Sequence, residues 1–215
     1  NFDYTILINN DTIVEKNLIE VLLKTAQAKN FSVVQPLILN HNGKEIWNAG
    51  GRINYFFGNF ITRKKLDNSL NSSLELTEWF TGCCCLFKTK IFKDIGKLDE
   101  RFFAYYEDVD FSLRLKKYGY KIGFTSKTHI YHYESFSSIS NNSKGGKLSP
   151  YIHYLNIRNH ILILKKHSDL FNSFGTRIYQ IFKIISYSIY FIFRLRFIKL
   201  NMVYKGLMDS FKIKT

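Results

Sequence analysis

The sequence predicts an α/β fold, and two stretches carry that prediction. Near the start, Tyr4-Thr-Ile-Leu-Ile8 is a short β-branched run of the kind that forms a buried strand, and Leu18, Ile19, Leu22, Leu23 and Ala26 then fall on one helical face. Further on, Phe111, Leu115 and Tyr118 recur at helical spacing, Gly119 stands in a helix-stop position, and Tyr120-Lys-Ile-Gly-Phe124 has the apolar content of another strand. A length of 215 residues suits one domain, or one domain with an appendage.

Taken in chain order, the first strand runs into Asn9-Asn10-Asp11-Thr12. Asp11 is thereby placed at the carboxyl end of a strand entering a βα crossover, where open α/β sheets bind ligands. The same four residues are also an ordinary turn and N-cap composition. Between Ser32 and Phe60, Val33-Val34, Leu37-Ile38-Leu39, an Asn42-Gly43 turn signal, Trp47 and the Gly50-Gly51 pair predict short strands joined by tight turns. The polar run from Asp67 to Ser73 reads as a flexible loop, and Ser135 to Ser149 as a second mobile segment.

Cys83, Cys84 and Cys85 are consecutive, and neighbouring strand side chains point to opposite faces. They are expected to be small apolar strand residues in a reducing compartment, with neither a zinc site nor a disulfide framework.

The most informative cluster is Glu107, Asp108 and Asp110, three carboxylates within four positions in the first turn of the predicted helix. Acids there complement the helix dipole and cap free amides, but capping does not need three. Adjacent like charges suit the binding of hydroxyls or metal, or the taking of a proton. His129-Ile-Tyr-His132 then leads into a serine-rich loop, and a neutral imidazole beside one or two acids is a reasonable ligand set for a divalent cation.

In order, Leu7-Ile8-Asn9-Asn10-Asp11-Thr12, Trp79-Phe-Thr-Gly82 with Phe87-Lys88, the run from Gly96-Lys-Leu-Asp99-Glu100 through Phe102-Phe103-Ala-Tyr-Tyr106 to Glu107-Asp108-Val-Asp110, and then Arg114, Gly119-Tyr120 and His132 resemble the family 2 glycosyltransferases. Within that family the chain looks most like the bacterial rhamnosyltransferase-type members that build surface polysaccharides. The resemblance covers about residues 1 to 160 and is most specific from Gly96 to Tyr120.

The resemblance implies a GT-A fold, a Rossmann-like mixed sheet that takes a nucleotide-sugar and a divalent cation, Mn²⁺ or Mg²⁺. By position, Asn9 and Asp11 match the Asp-x-Asp-type motif, with Asp11 the metal ligand and Asn9 a departure from the acidic form. His132 matches the histidine completing the metal and diphosphate site, Asp108 the catalytic base, and Glu107 a residue that positions the acceptor. Trp79, Thr81 and Gly82 align with the loop bordering donor and acceptor sugars, while Arg158-Asn159 resembles an Arg-Asn pair in which Arg158 is a candidate phosphate contact. The 67–73 loop would then be a cover over the donor.

The chain begins Asn-Phe-Asp-Tyr and enters directly a strand that the family places after its first nucleotide-binding βα units. The expectation is a carboxyl-terminal portion of a GT-A domain over residues 1–148, followed by a helical, basic and aromatic tail over 149–215. In that tail, Ile178 to Leu200 is apolar nearly all round, interrupted by Lys183 and flanked by Arg194, Arg196 and Lys199. Its charge-free core, from Ile184 to Phe193, falls short of the roughly 20 apolar residues a span requires, and suits an interfacial helix or one packed on protein.

The formal net charge of +14 fits an anionic inner-leaflet surface and a glycan acceptor carrying a lipid diphosphate. Nucleic acid is disfavoured, because no recognised motif is present and the acids cluster where a polyanion groove would need lysines. A non-catalytic sugar-binding or scaffold protein is the remaining alternative, against which Asp11, Asp108 and His132 all being present argues.

Overall fold

The computed structural model describes residues 2–66, 74–133 and 148–213. The expected loop at 67–73, and the expected mobile segment except for its last two residues, lie outside them. Two compact units are formed: Asn1–Ile53, Phe60–Glu100 and Glu107–Glu134 make the first, and Asn54–Asn59, Arg101–Tyr106 and Ser135–Thr215 the second.

The first unit is built on a mixed sheet. Strand β1 (Tyr4–Ile8), expected to be buried, instead lies partly exposed at one edge and pairs antiparallel with β8 (Cys84–Lys88), which pairs antiparallel with β3 (Val33–Asn40). β3 is followed by β9 (Ile122–His132), its parallel neighbour, and β9 by the short antiparallel β2 (Thr12–Val14). Two further short strands attach to this path, β4 (Ile46–Asn48) on β3 and β7 (Leu74–Leu76) on β9, while β5 (Gly51–Asn54) and β6 (Asn59–Thr62) form a separate pair. The expected Asn42-Gly43 turn is present between β3 and β4, with Gly43 at φ 69°, a conformation glycine adopts without penalty.

β9 exceeds its expectation. The expected 120–124 run enters the strand only at Ile122, and from there it is continuous with the His129–His132 run as one strand, whose register against β3 slips between Pro36 and Leu37. That irregularity, which moves the partner from Thr125 to His129, carries the polar stretch between the two runs without ending the strand, and strands use such bulges to re-aim side chains near sites.

Helix α1 (Leu18–Lys29) buries Leu18, Leu22 and Ala26 against Val34, Ile38, Cys83, Cys84 and Ile130. A second core gathers Phe80, Phe87 and Phe111 with Cys85, Leu115 and Ile122, joining β8 to helix α3 (Glu107–Lys117), the short α2 (Ile91–Ile95) lying between them in sequence. The cysteines thus serve both cores: Cys83 and Cys84 enter one and Cys85 the other, and all three are buried and free. Burial pushes their thiols well above the ordinary range, so they are inert core residues.

The second unit contains α4 (Pro150–Lys166), α5 (Ser173–Phe193) and α6 (Phe197–Lys212), held around Ile157, Phe191 and Val203. The apolar run from Ile178 to Leu200 is two helices, not one. α5 ends at Phe193, Leu195 takes φ 52°, and α6 begins at Phe197. A left-handed residue cannot continue a right-handed helix, so the chain turns between Arg194 and Arg196.

Candidate active site

The three carboxylates at the start of α3 have three different fates. Asp110 is fully buried, and its Oδ2 accepts from Nε of Arg114, one turn further on, at 2.9 Å. The remaining guanidinium nitrogens of Arg114 donate to the carbonyls of Ile95 and Lys97 at 2.6 and 2.7 Å. Asp110 therefore ties α3, through Arg114, to the segment before it.

Asp108 accepts at both oxygens. The Val109 amide donates to Oδ1 at 2.8 Å, and the Gly82 amide donates to Oδ2 at 3.0 Å, with the Thr81 hydroxyl contributing a further bond. Burial raises its pKa, and these donors act the other way by favouring the anion. Glu107 next to it has a buried Oε2 with no hydrogen-bond partner among the described residues. Burial, and then the charge of Asp108, lift its carboxyl to about 7. Of two adjacent acids, the one holding amide donors keeps the charge and its neighbour keeps the proton.

The loop opposite, 79–82, is positioned from three sides. Trp79 is buried and its Nε1 donates to the Arg52 carbonyl at 3.3 Å, lying so close over Gly51 that a Cβ there would stand 1.9 Å from that nitrogen. The Phe80 amide donates to Oγ of Ser112 at 3.3 Å, and that hydroxyl donates to the carbonyl of Asp108 at 2.7 Å. The Thr81 amide donates to Oε1 of Gln35 at 2.9 Å, and Nε2 of Gln35 donates to Oδ1 of Asn48 at 2.7 Å, which also accepts from the Gly50 amide. Gln35 and Asn48 are buried and were not legible as site residues; a buried glutamine in an otherwise apolar strand was the available signal. Gly82 faces the acids, since a methyl built on it would lie 3.8 Å from Oε1 of Glu107 and 4.0 Å from Cβ of Asp108.

A second acidic element forms where β2 joins β9. Thr12 stands opposite His132, the Tyr133 amide donates to the Asp11 carbonyl at 3.0 Å, and Nε2 of His132 lies 3.4 Å from Oδ1 of Asp11. The His132 ring is buried edge-on to Trp47, with centroids 4.5 Å apart, and its Nδ1 has no hydrogen-bond partner among the described residues. Asn9 contributes backbone: its amide donates to the Cys83 carbonyl at 2.9 Å and its carbonyl accepts from the Thr12 hydroxyl at 2.7 Å, leaving its side chain exposed.

Asp11 and His132 fit a hard divalent cation as two of its ligands. Ligand atoms about 2.1 Å from an octahedral ion, at right angles, stand roughly 3 Å apart, close to the observed pair. Among the described residues no group of three or more His, Cys, Asp or Glu side chains could hold a metal ion. The remaining positions would fall to substrate oxygens and water, which is how Mg²⁺ is usually held.

The two acidic elements meet at the start of β8. Gly82 holds Asp108, Cys83 holds the Asn9 backbone, and the charges of Asp11 and Asp108 are felt at the Cys83 and Cys85 thiols respectively.

Residues 1–144, two-thirds of the chain, match the family described as "Glycosyltransferase like family 2". The chain belongs to this glycosyltransferase family. Its similarity to individual members is distant: 27% identity over 123 residues to the low-salt glycan biosynthesis hexosyltransferase Agl10 of Haloferax volcanii, covering 57% of this chain and 40% of that protein. The N-acetylglucosaminyl-diphospho-decaprenol L-rhamnosyltransferase of Mycobacterium tuberculosis is 35% identical over 60 residues, covering 28% of this chain and 20% of that one. Rhamnosyltransferase WbbL of Escherichia coli K12 is 23% identical over 140 residues, covering 61% and 52%. The chain thus spans about half or less of the length of these relatives. A crystal structure of GalNAc-T7 with UDP, GalNAc and Mn²⁺ superimposes with a TM-score of 0.55 at 14% identity, covering 76% of this chain and 31% of that one. The mixed sheet of this family member is accordingly of the GT-A type expected from its sequence.

Arg158 belongs to the second unit, where Nε donates to Oδ1 of Asn159 at 2.8 Å and Nη2 to the carbonyls of Arg101 and Phe102 at 3.0 Å. Nδ2 of Asn159 reaches the carbonyls of Phe102, Ala104 and Tyr105, each at 2.8 Å. This pair grips a loop in which Phe103, Tyr105 and Tyr106 all have positive φ, a strained backbone that needs such over-determination. The next residue in the chain is Glu107.

Proposed function

We propose that the protein transfers a sugar from a nucleotide-sugar to a hydroxyl of a growing surface glycan, with inversion at the anomeric carbon and Asp108 as the base. The observation carrying this reading is the buried Glu107–Asp108 pair, in which amides from Gly82 and Val109 favour the anion on Asp108 while Glu107 retains a proton up to about pH 7. Asp108 takes the proton of the acceptor hydroxyl, that oxygen bonds to the anomeric carbon, and the nucleoside diphosphate departs with the electron pair of the broken bond. A positioned base of this kind contributes about 10²- to 10⁴-fold. Glu107, protonated, donates a hydrogen bond to the acceptor and holds it in line.

The 79–82 loop, fixed by Gln35 and Asn48, borders the two sugars through Trp79, Thr81 and Gly82. Asp11 and His132, with Asn9 beside them, face the diphosphate end. A Mn²⁺ or Mg²⁺ ion held there would neutralise charge growing on the departing phosphate oxygens. Two relatives are named rhamnosyltransferases and one name carries a diphospho-decaprenol, which supports rhamnose as the sugar and a lipid-diphosphate-linked glycan as acceptor; deoxythymidine-diphosphate rhamnose is the first donor to try and uridine-diphosphate sugars the second.

The test is nucleoside-diphosphate release from a panel of nucleotide-sugars, with and without Mn²⁺ or Mg²⁺ and with lipid-linked acceptors, for wild type and Asp108→Asn. Release from one donor that falls at least 100-fold in the variant supports the assignment. An Asp108→Asn enzyme working at near the normal rate removes Asp108 from the role, and no release from any donor favours a sugar-binding protein that has kept the fold.

A further inference from the structure

The outward face of α5 has no partner among the described residues. From Phe174 through Ile178, Phe182, Ile185 and Ile189 to Phe193, large apolar side chains follow one another at helical spacing and are exposed, Phe182 by 68% and Phe193 by 83%. The opposite face is already used: Phe191 packs with Ile157 and Val203, and Gly175 lies so close to Phe56 that a Cβ would meet its carbonyl at 2.3 Å. Single exposed apolar residues are ordinary, but a contiguous stripe running the length of a helix marks an interaction surface.

Lys183 is the residue that breaks the apolar run in sequence, and it does not break this face. Its Nζ turns inward to Nδ1 of His160, at 2.8 Å, where Gln180 also donates, and Nε2 of His160 in turn donates to the Gly58 carbonyl. The cationic residues that do reach solvent, Arg177 and Arg194, stand near the two ends of the stripe. Residues 149–215 carry eleven Lys and Arg against two Asp, so nine of the fourteen net positive charges lie in this third of the chain. No helix among the described residues is long and apolar enough to cross a membrane.

An apolar helical face with cations at its margins and almost no acids around it has the chemistry of a helix lying in a lipid–water interface. We propose that the outward face of α5 docks on an anionic phospholipid surface, with its isoleucine and phenylalanine side chains among the acyl chains and Arg177 and Arg194 at the headgroup phosphates. A polar protein partner would not match the stripe, and an apolar one would not draw on the surrounding cations.

The experiment is co-sedimentation of the full chain with vesicles of phosphatidylcholine alone or with 30% phosphatidylglycerol, alongside size-exclusion chromatography without lipid. The variants are Ile181→Gln/Ile185→Gln/Ile189→Gln, which alters exposed positions and leaves the packed face intact, and Arg177→Gln/Arg194→Gln. Wild type is expected to bind the anionic vesicles, the triple variant at least tenfold more weakly with unchanged circular dichroism. The arginine variant is expected to lose roughly fivefold per charge removed and most of its preference for phosphatidylglycerol. Failure of wild type to bind anionic vesicles, or equal binding by the triple variant, overturns the proposal. So does a wild-type dimer, indifferent to lipid, that the triple variant converts to monomer, because the face would then be an interface between copies.

Discussion

The amide of Gly82 lies 3.0 Å from Oδ2 of Asp108, across 26 residues of sequence. This bond joins the loop that opens β8 to the first turn of α3, and it favours the anionic form of Asp108 against the burial that raises its pKa. Upstream, the same loop is held by Gln35 through the Thr81 amide. Asp108 is thus set by a chain of buried polar contacts reaching back to the middle of the sheet.

Gln35→Leu should expose how much of that setting matters. It strips the Thr81 amide of its acceptor and leaves the Asn48 carboxamide oxygen to the Gly50 amide, at about 1–3 kcal/mol of stability. We expect kcat to fall 10- to 100-fold with little change in the KM for donor, as small misplacements of a reacting group do. A stability loss with kcat unaltered would confine Gln35 to packing.

Glu107→Gln separates stability from catalysis. A carboxyl raised to about 7 from 4.5 binds its proton more tightly when folded, so its contribution is favourable in acid and is lost as pH rises from about 4.5 to 7. Above pH 7 the variant should therefore be more stable than wild type, by an amount on the order of 1–3 kcal/mol in chemical denaturation. Its kcat/KM should also stay up above pH 7, where wild type loses the proton that Glu107 lends the acceptor; an alkaline limb unchanged in the variant would take Glu107 out of that role.

Asp110→Asn is predicted to fail differently. Removing the buried partner of Arg114 should cost about 3–5 kcal/mol while the activity per folded molecule stays within a few-fold of wild type. Thermal melts normalised against turnover distinguish this from a catalytic loss.

Asp11→Asn and His132→Gln should each raise the Mn²⁺ or Mg²⁺ concentration for half-maximal activity by tenfold or more. Titrating metal at fixed donor reads this directly. A loss of activity that no metal concentration restores, together with an unaltered metal requirement, would point to a purely structural Asp11–His132 pair.

Acid should unfold the helical unit early. His160 is held down to about 3 and His153 to about 4, mainly by burial, so both fold as neutral rings and the stability they lend above their ordinary pKa of 6.5 is lost as pH falls toward those values. Nδ1 of His153 is buried with no hydrogen-bond partner among the described residues, and the ring packs edge-on against Tyr187 and Phe191. His153→Phe should be tolerated at pH 7 and should shift the acid midpoint, followed by circular dichroism at 222 nm, to lower pH.

The local features were readable because their physics is local. A β-branched run made β1, apolar spacing made α1 and α3, and Gly119 closed α3, so the first-turn position of Glu107, Asp108 and Asp110 followed from the chain alone. What spacing along one helix could not say was which acid spends itself where. Arg114 lies one turn from Asp110 in sequence, but only the carbonyls of Ile95 and Lys97 make that arginine a fixed post rather than a solvated one. Likewise Gln35 is 46 residues from the amide it holds, and nothing near it in sequence marks that contact. The direction of Lys183 was hidden for the same reason: on a helix apolar nearly all round, the face that turns inward is chosen by what waits there, and here that is the unprotonated nitrogen of His160. Composition and periodicity determine elements and the residues available to a site; the desolvation, amide donors and distant partners that assign each residue its charge and its task exist only once the chain has folded.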